Sequence, residues 1–179
     1  METRTGNLII STSGGTAGGS ANNYKISLPS TWVKEMGLDA ENRQMELSFD
    51  GTFITITRQL SFSEFLETNR QTGHKLFLIS CYSGSVLCAR IAADETAKKL
   101  RVENFVSDFL KLPFGNNQNP SWEDYLHFLE SRCIPRTRAG LREYLETIGV
   151  DHYDPLEIIR KTQGRMAEDD IWLTVEEIK

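Results

Sequence analysis

Residues 25–58 read KISLPSTWVKEMGLDAENRQMELSFDGTFITITR, and their reading decides what kind of protein this is. From Tyr24 to Leu28 apolar and polar side chains alternate at period two, the mark of a strand with one buried face. Pro29 has no N–H to give a ladder and closes that strand. Ser30 is a good N-cap for a short helix, with Trp32, Val33 and Met36 on its inner face and Lys34 and Glu35 outside. Gly37 suits the left-handed residue that ends a helix. Residues 45–49 alternate again, Asp50-Gly51 signals a type I′ hairpin turn, and residues 52–57 form the return strand.

Working outward, Leu8, Ile9 and Ile10 predict a further short strand. Between them and Tyr24 lies STSGGTAGGSANN, thirteen uncharged residues with four glycines, a loop by composition. The order is therefore strand, strand, short helix, strand, turn, strand. Some fifty residues of this kind bury too little surface to make a good core alone. Small sheets with open edges seek partners, so dimerisation through these strands is expected.

The Leu28-Pro29 corner, the helix to Met36-Gly37-Leu38, and Met45, Leu47, Phe49, Asp50-Gly51, Ile54 and Ile56 at their spacings resemble the AbrB/MazE/SpoVT swapped-hairpin family. The resemblance covers residues 5–60, about a third of the chain. It implies an interleaved homodimer, a swapped-hairpin β-barrel that binds DNA. It also implies that small and basic residues of the first loop and the next strand face the duplex. On this chain those are Thr12, Ser13, Thr16, Asn22, Asn23 and Lys25, with Arg4 flanking. Residues 5–24 hold no Lys or Arg, so contacts there fall to backbone N–H groups and short polar side chains. Those groups do not supply the counterion-release contribution that cations bring.

Downstream, residues 61–74 are polar with Phe62, Phe65 and Leu66 at helical spacing, a short helix or connector between two domains, 1–60 and 75–179. Residues 75–82 and 86–92 are apolar runs around Ser83-Gly84-Ser85, which predicts a hairpin; residues 99–103 offer a third antiparallel strand. Helices are expected over 104–112, with Phe105, Val106, Phe109 and Leu110 on one face, and from Ser121 to about Arg132. The second starts on a capping box of Ser121 and Asp124 and carries Trp122, Tyr125, Leu126 and Leu129 inward. Two more are expected over 137–148, closed by Gly149, and over 156–162 behind Pro155. Residues 171–175 alternate and predict a last strand. The fold class is α+β, with a β-meander backed by helices in the second domain. Residues 122–173 also resemble, more loosely, an uncharacterised module of mobile elements and phages of Gram-positive bacteria, which assigns no chemistry.

Composition narrows the function. With 39% hydrophobic and 25% charged residues among 179, the chain can build a packed core. No apolar run approaches the roughly 18 residues of a membrane span, and the first ten residues do not read as a signal peptide. Three cysteines, Cys81, Cys88 and Cys133, are an odd set without paired spacing, as suits a reducing cytoplasm. No phosphate-binding glycine motif, CxxC or HxxxH is present, and His74, His127 and His152 are scattered. No cofactor, no metal and no enzyme activity is expected. Arg132, Arg136, Arg138 and Arg142 cluster across a proline corner and suit a phosphate or an acidic partner surface. The alternative is internal pairing with Glu130, Glu143, Glu146 or the run Glu168-Asp169-Asp170.

Two functions follow. One is a dimeric, antitoxin-like transcription regulator whose second domain binds a partner. The other is a mobile-element inhibitor of the anti-CRISPR type, an acidic protein that occupies the basic channel of a nuclease. Net charge −5 suits the second; the swapped-hairpin resemblance suits the first.

Overall fold

The computed structural model describes residues 2–13 and 21–179, with nothing said of the side chains of Ser13 and Ala21. The chain is α+β and divides into two compact units, Met1–Gln59 and Leu60–Lys179.

The first unit holds two antiparallel hairpins and one short helix. Strand β1 (Ile9–Ser13) pairs with β2 (Ala21–Lys25), and β3 (Met45–Phe49) pairs with β4 (Ile54–Arg58); neither pair closes into a barrel within the chain. Strand β2 lies upstream of the expected 24–28, because its pairing with β1 recruits Ala21–Asn23 from the stretch read as loop. Helix α1 (Ser30–Glu35) starts one residue early: Pro29, not Ser30, is the N-cap, without a side-chain cap. The Pro29 carbonyl accepts from Val33 N at 3.1 Å, which leaves Ser30 as the first helical residue. Gly37 takes φ +68° and Leu38 N donates back to the Val33 carbonyl, closing the helix as its sequence predicts.

The turn between β3 and β4 differs from the expected two-residue form. Phe49 and Ile54 are the last pair, so residues 50–53 form the loop. The Asp50 carboxylate accepts from Thr52 N and Phe53 N at 2.9 and 2.8 Å, a local turn that outcompetes the I′ geometry. Those two hydrogen bonds hold the Asp50 carboxyl below its ordinary range.

The second unit is built on a four-stranded antiparallel sheet of order β7-β6-β5-β8. Its strands are β5 (Leu76–Ser83), β6 (Val86–Asp94), β7 (Lys99–Asn104) and β8 (Ile171–Ile178). The hairpin β5–β6 turns on two residues, Gly84 and Ser85, since Ser83 pairs with Val86; a bulge beside Cys81 accommodates Cys88 as an extra residue. One sheet face carries Phe77, Ile79, Cys81, Ile91 and Leu173 into the core. Against it pack α3 (Trp122–Ser131), α4 (Leu141–Ile148) and α5 (Pro155–Thr162) through Tyr125, Leu129, Leu145, Ile158 and Ile159. Burial of large aliphatic and aromatic side chains on this face stabilises the unit by roughly 1.5–3 kcal/mol each.

Helix α2 (Phe62–Gln71) covers part of the opposite face. Arg101 alternates with the core residues Leu100 and Val102, and its guanidinium lies over Phe65 at 5.4 Å, so α2 sits on the far side of the sheet. The helix opens on a capping box, Ser61 and Glu64, and buries Phe65. The stretch read as a helix or connector is thus a layer of the second unit.

Two helical expectations change. Residues 104–112 are not a helix: Phe105 N continues the sheet by donating to the Cys88 carbonyl at 2.8 Å, and only a 3-10 turn, Phe109–Lys111, forms beyond it. The capping Asp108 carboxylate holds that turn, and Phe109 and Leu110 stay exposed. Helix α4 begins at Leu141 rather than at 137, because Gly140 enters it at φ +78°. Helix α3 keeps its predicted capping box and its buried Tyr125 and Leu129, whereas Leu126 is exposed. None of the described helices is long and apolar enough to cross a membrane.

Candidate functional site

In the first hairpin, residues directly opposite share a face. Ile10 stands with Tyr24 and Thr12 with Asn22 on one side; Ile9 stands with Lys25 and Ser11 with Asn23 on the other. The expected DNA-facing residues are thus split: Thr12 and Asn22 turn one way, Asn23 and Lys25 the other. Ser13 pairs with Ala21 at the end of the ladder, and Thr16 lies outside the described residues. Lys25 is exposed and has no ion-pair partner among the described residues. Arg4 is engaged: it pairs with Glu2 at 3.0 Å and lies over the Trp32 ring, while Trp32 Nε1 donates to the same carboxylate at 2.7 Å. The Trp32 bond, then the Arg4 bond, keep the Glu2 carboxyl below its usual range.

The second hairpin has a sharper contrast. Met45, Leu47, Phe49, Ile54 and Ile56 share one face, and Glu46, Ser48, Thr55 and Thr57 the other. The apolar face is largely open: Leu47 is 65% exposed, Phe49 69% and Ile54 70%. Ile9, Ile10, Tyr24 and Phe53 are exposed as well. Among the described residues of this unit, Leu38 alone is a buried hydrophobic.

The four arginines of the second unit have four different environments. Arg132, at the end of α3, is buried and fully used. Its Nη1 and Nη2 donate to the two Asp169 oxygens at 2.6 and 3.0 Å, Nη2 also to the Ile171 carbonyl, and Nε to the Gly164 carbonyl. This bidentate clasp ties α3 to the segment between α5 and β8. The Asp169 carboxyl is held low, first by the Arg132 hydrogen bond and then by the Ile171 N–H and the Arg132 charge, against the desolvation of burial. Arg136 pairs with Glu130 at 2.9 Å and stacks over Tyr153 at 4.1 Å. Arg142 makes an exposed i,i+4 pair with Glu146. Arg138 is exposed and has no ion pair among the described residues. Internal pairing, the alternative reading of this cluster, therefore accounts for three of the four.

Arg138 lines an open cleft of about 430 Å³ between the loop before α4 and the segment after α5. Tyr144 and Arg165 share it, over an apolar wall that includes Ile134, Pro135 and Met166. Arg165 escaped the reading of the sequence because it stands alone there; only the fold brings it into the same cleft as Arg138.

Another pair that the sequence did not announce is His74 and Asp94, with Nδ1 and Oδ2 2.6 Å apart. Asp94 is wholly buried and also accepts from Ala97 N at 2.8 Å, so it fastens the β6–β7 turn. Among the described residues no nucleophile is hydrogen-bonded to His74, and no three His, Cys, Asp or Glu side chains gather to hold a metal. His127 is exposed on α3. The cysteines are buried and free; burial pushes the Cys81 and Cys133 thiols up to about 12, and Arg132 and Arg136 beside Cys133 only partly offset it.

Comparison of the chain with protein-family models, curated proteins and solved structures returns no match.

Proposed function

We infer that the chain is a dimeric DNA-binding regulator, antitoxin-like in plan, whose first unit pairs with a second copy and whose second unit carries the effector role. The observation that supports this most is the apolar face of the second hairpin. Five hydrophobic side chains line one side of β3 and β4, and the unit has a single buried hydrophobic residue among those described. Left alone, such a unit gains little from burial and exposes two-stranded sheets that are marginal in water. A second copy offers the same face and the same open hairpin edges, so an interleaved swapped-hairpin barrel satisfies both at once. DNA would then meet the face of the β1–β2 hairpin that carries Asn23 and Lys25, with Lys25 supplying the charge, while Thr12 and Asn22 lie on the other face. Two-fold symmetry of the dimer implies a palindromic operator.

The inhibitor reading draws on another observation. Residues 5–24 lack Lys and Arg, Arg4 is held by Glu2, and the chain is net −5. On this reading the hairpins only dimerise, and the second unit occupies a nuclease channel by charge. An electrophoretic shift on the DNA upstream of the chain's own gene separates the two. At ~50 mM salt a regulator gives a specific shift, and at ~200 mM the affinity falls steeply, as phosphate contacts require. No shift at the lower salt sinks the regulator reading and leaves the hairpins as a dimerisation device.

A further inference from the structure

Arg138 and Arg165 line one open cleft of the second unit. Among the described residues neither guanidinium has a carboxylate within ion-pair distance, although acids outnumber bases in the chain by 25 to 20. Arg165 is also held in place. Its guanidinium lies over the Trp172 indole at 5.1 Å, and Nε donates to Gln163 Oε1 at 3.0 Å. Trp172 in turn stacks on Tyr82, with centroids 4.3 Å apart and planes 11° from parallel, and its Nε1 donates to the Gly84 carbonyl at 2.7 Å. Arg165, itself exposed, thus rests against the Trp172–Tyr82 stack, which restricts its side chain and lowers the ordering cost of binding.

Arg138 and Tyr144 line the same cleft as Arg165. Ile134, Pro135 and Met166 form an apolar wall between the polar groups. The volume, about 430 Å³, lies within the range of small-molecule sites, and an apolar wall with a few convergent polar groups is their usual make-up. A cleft of this size takes a compact molecule rather than a duplex. Glu168, also in the lining, selects against a second anionic group and offers an acceptor to a hydroxyl or amine.

The geometry points to a binding site in the second unit for a small organic anion, a phosphate monoester or carboxylate, clamped between Arg138 and Arg165 with its apolar body on Ile134 and Met166. This goes beyond the regulator reading and stands without it, since every residue belongs to the second unit.

The test is a titration of the intact chain, without DNA, followed by amide chemical shifts, with phenyl phosphate, benzoate and inorganic phosphate as probes. Saturable shifts confined to residues 134–144 and 163–172 are expected with phenyl phosphate or benzoate, and weaker binding of inorganic phosphate, which lacks the apolar body. The stronger of the two aromatic probes identifies the anionic group. Arg138→Gln and Arg165→Gln should each weaken it roughly tenfold or more, the value of one charge-assisted hydrogen bond. Arg142→Gln should leave it unchanged. Arg138 is exposed and in no ion pair among the described residues, so Arg138→Gln keeps its fold and tests the site even if the Arg165 contact is disturbed. Shifts absent at ~10 mM of every probe, a range at which even weak fragments register, overturn the proposal. So does binding that Arg138→Gln leaves intact.

Discussion

Replacing Arg132 by Met removes the guanidinium that joins α3 to the segment before β8, while its aliphatic replacement keeps the packing of the stem. Four donor contacts disappear: two to Asp169, one to Gly164 O and one to Ile171 O. Removing one partner of a fully buried ion pair costs roughly 3–5 kcal/mol. Arg132 is buried, but the Asp169 side chain is 35% exposed and rehydrates when abandoned. That places the ionic part nearer 1–2 kcal/mol, and two carbonyls left short of a donor add roughly 0.5–1 kcal/mol each. A loss of about 3 kcal/mol follows, or a fall in the second unit's Tm on the order of 10 °C. Urea unfolding followed by circular dichroism measures it. The pH dependence carries its own sign. Asp169 has a carboxyl held lower in the folded chain than in the unfolded one, so its contribution is complete above the unfolded value and is lost as pH falls through the lowered folded value. The gap between wild type and Arg132→Met should therefore narrow below about pH 4, the ordinary carboxylate range. A loss under 1 kcal/mol at pH 7, or a gap that widens in acid, would refute the assignment of Arg132 and Asp169 as a clasp.

Three further outcomes are expected. Gly164→Ala places a Cβ 3.2 Å from both Arg132 Cβ and Leu173 Cδ1 at φ +57°, so it should destabilise by roughly 1–3 kcal/mol, read in the same unfolding assay; an unchanged midpoint contradicts the tight contact. The buried thiols of Cys81 and Cys133, raised to about 12, should resist a thiol-specific disulfide reagent at pH 8 and react only after denaturation, since about one in ten thousand is ionised. Fast labelling of the native chain would mean that these sites open. Lys25→Ala should weaken binding to all DNA sequences alike and flatten the salt dependence by about one counterion per copy; loss of sequence preference instead would assign Lys25 to a base.

What the sequence disclosed depends on how far apart the cooperating residues lie. The capping box at Ser121 and the Asp154-Pro155 start act within three residues and are read from the text; the box at Ser61 and Glu64 is as local but emerges only from the structure. Period-two alternation likewise marked β3, and two apolar runs around a glycine loop marked the β5–β6 hairpin. Where a local preference met a tertiary one, the latter prevailed. Phe105 and its neighbours have helical spacing, but Phe105 N is drawn to Cys88 O on the adjacent strand. Local competition also misled: Asp50 reads as a two-residue turn former, yet its carboxylate builds a longer loop. The clasp of Arg132 and Asp169 spans 37 positions: the sequence offered the acidic run 168–170 as a partner for the arginine cluster, but only the fold says which arginine takes it. The cleft shared by Arg138 and Arg165 depends on segments 27 residues apart coming together, which no local pattern encodes.

Sedimentation equilibrium of the intact chain at micromolar concentration distinguishes a paired second hairpin from a lone one. A dimer sediments at twice the chain mass of 20.3 kDa and falls to 20.3 kDa when Leu47→Asp puts a charge into the apolar face of that hairpin. A wild type that sediments at 20.3 kDa, or a Leu47→Asp variant that still sediments at twice that mass, would contradict the claim that a second copy covers this face.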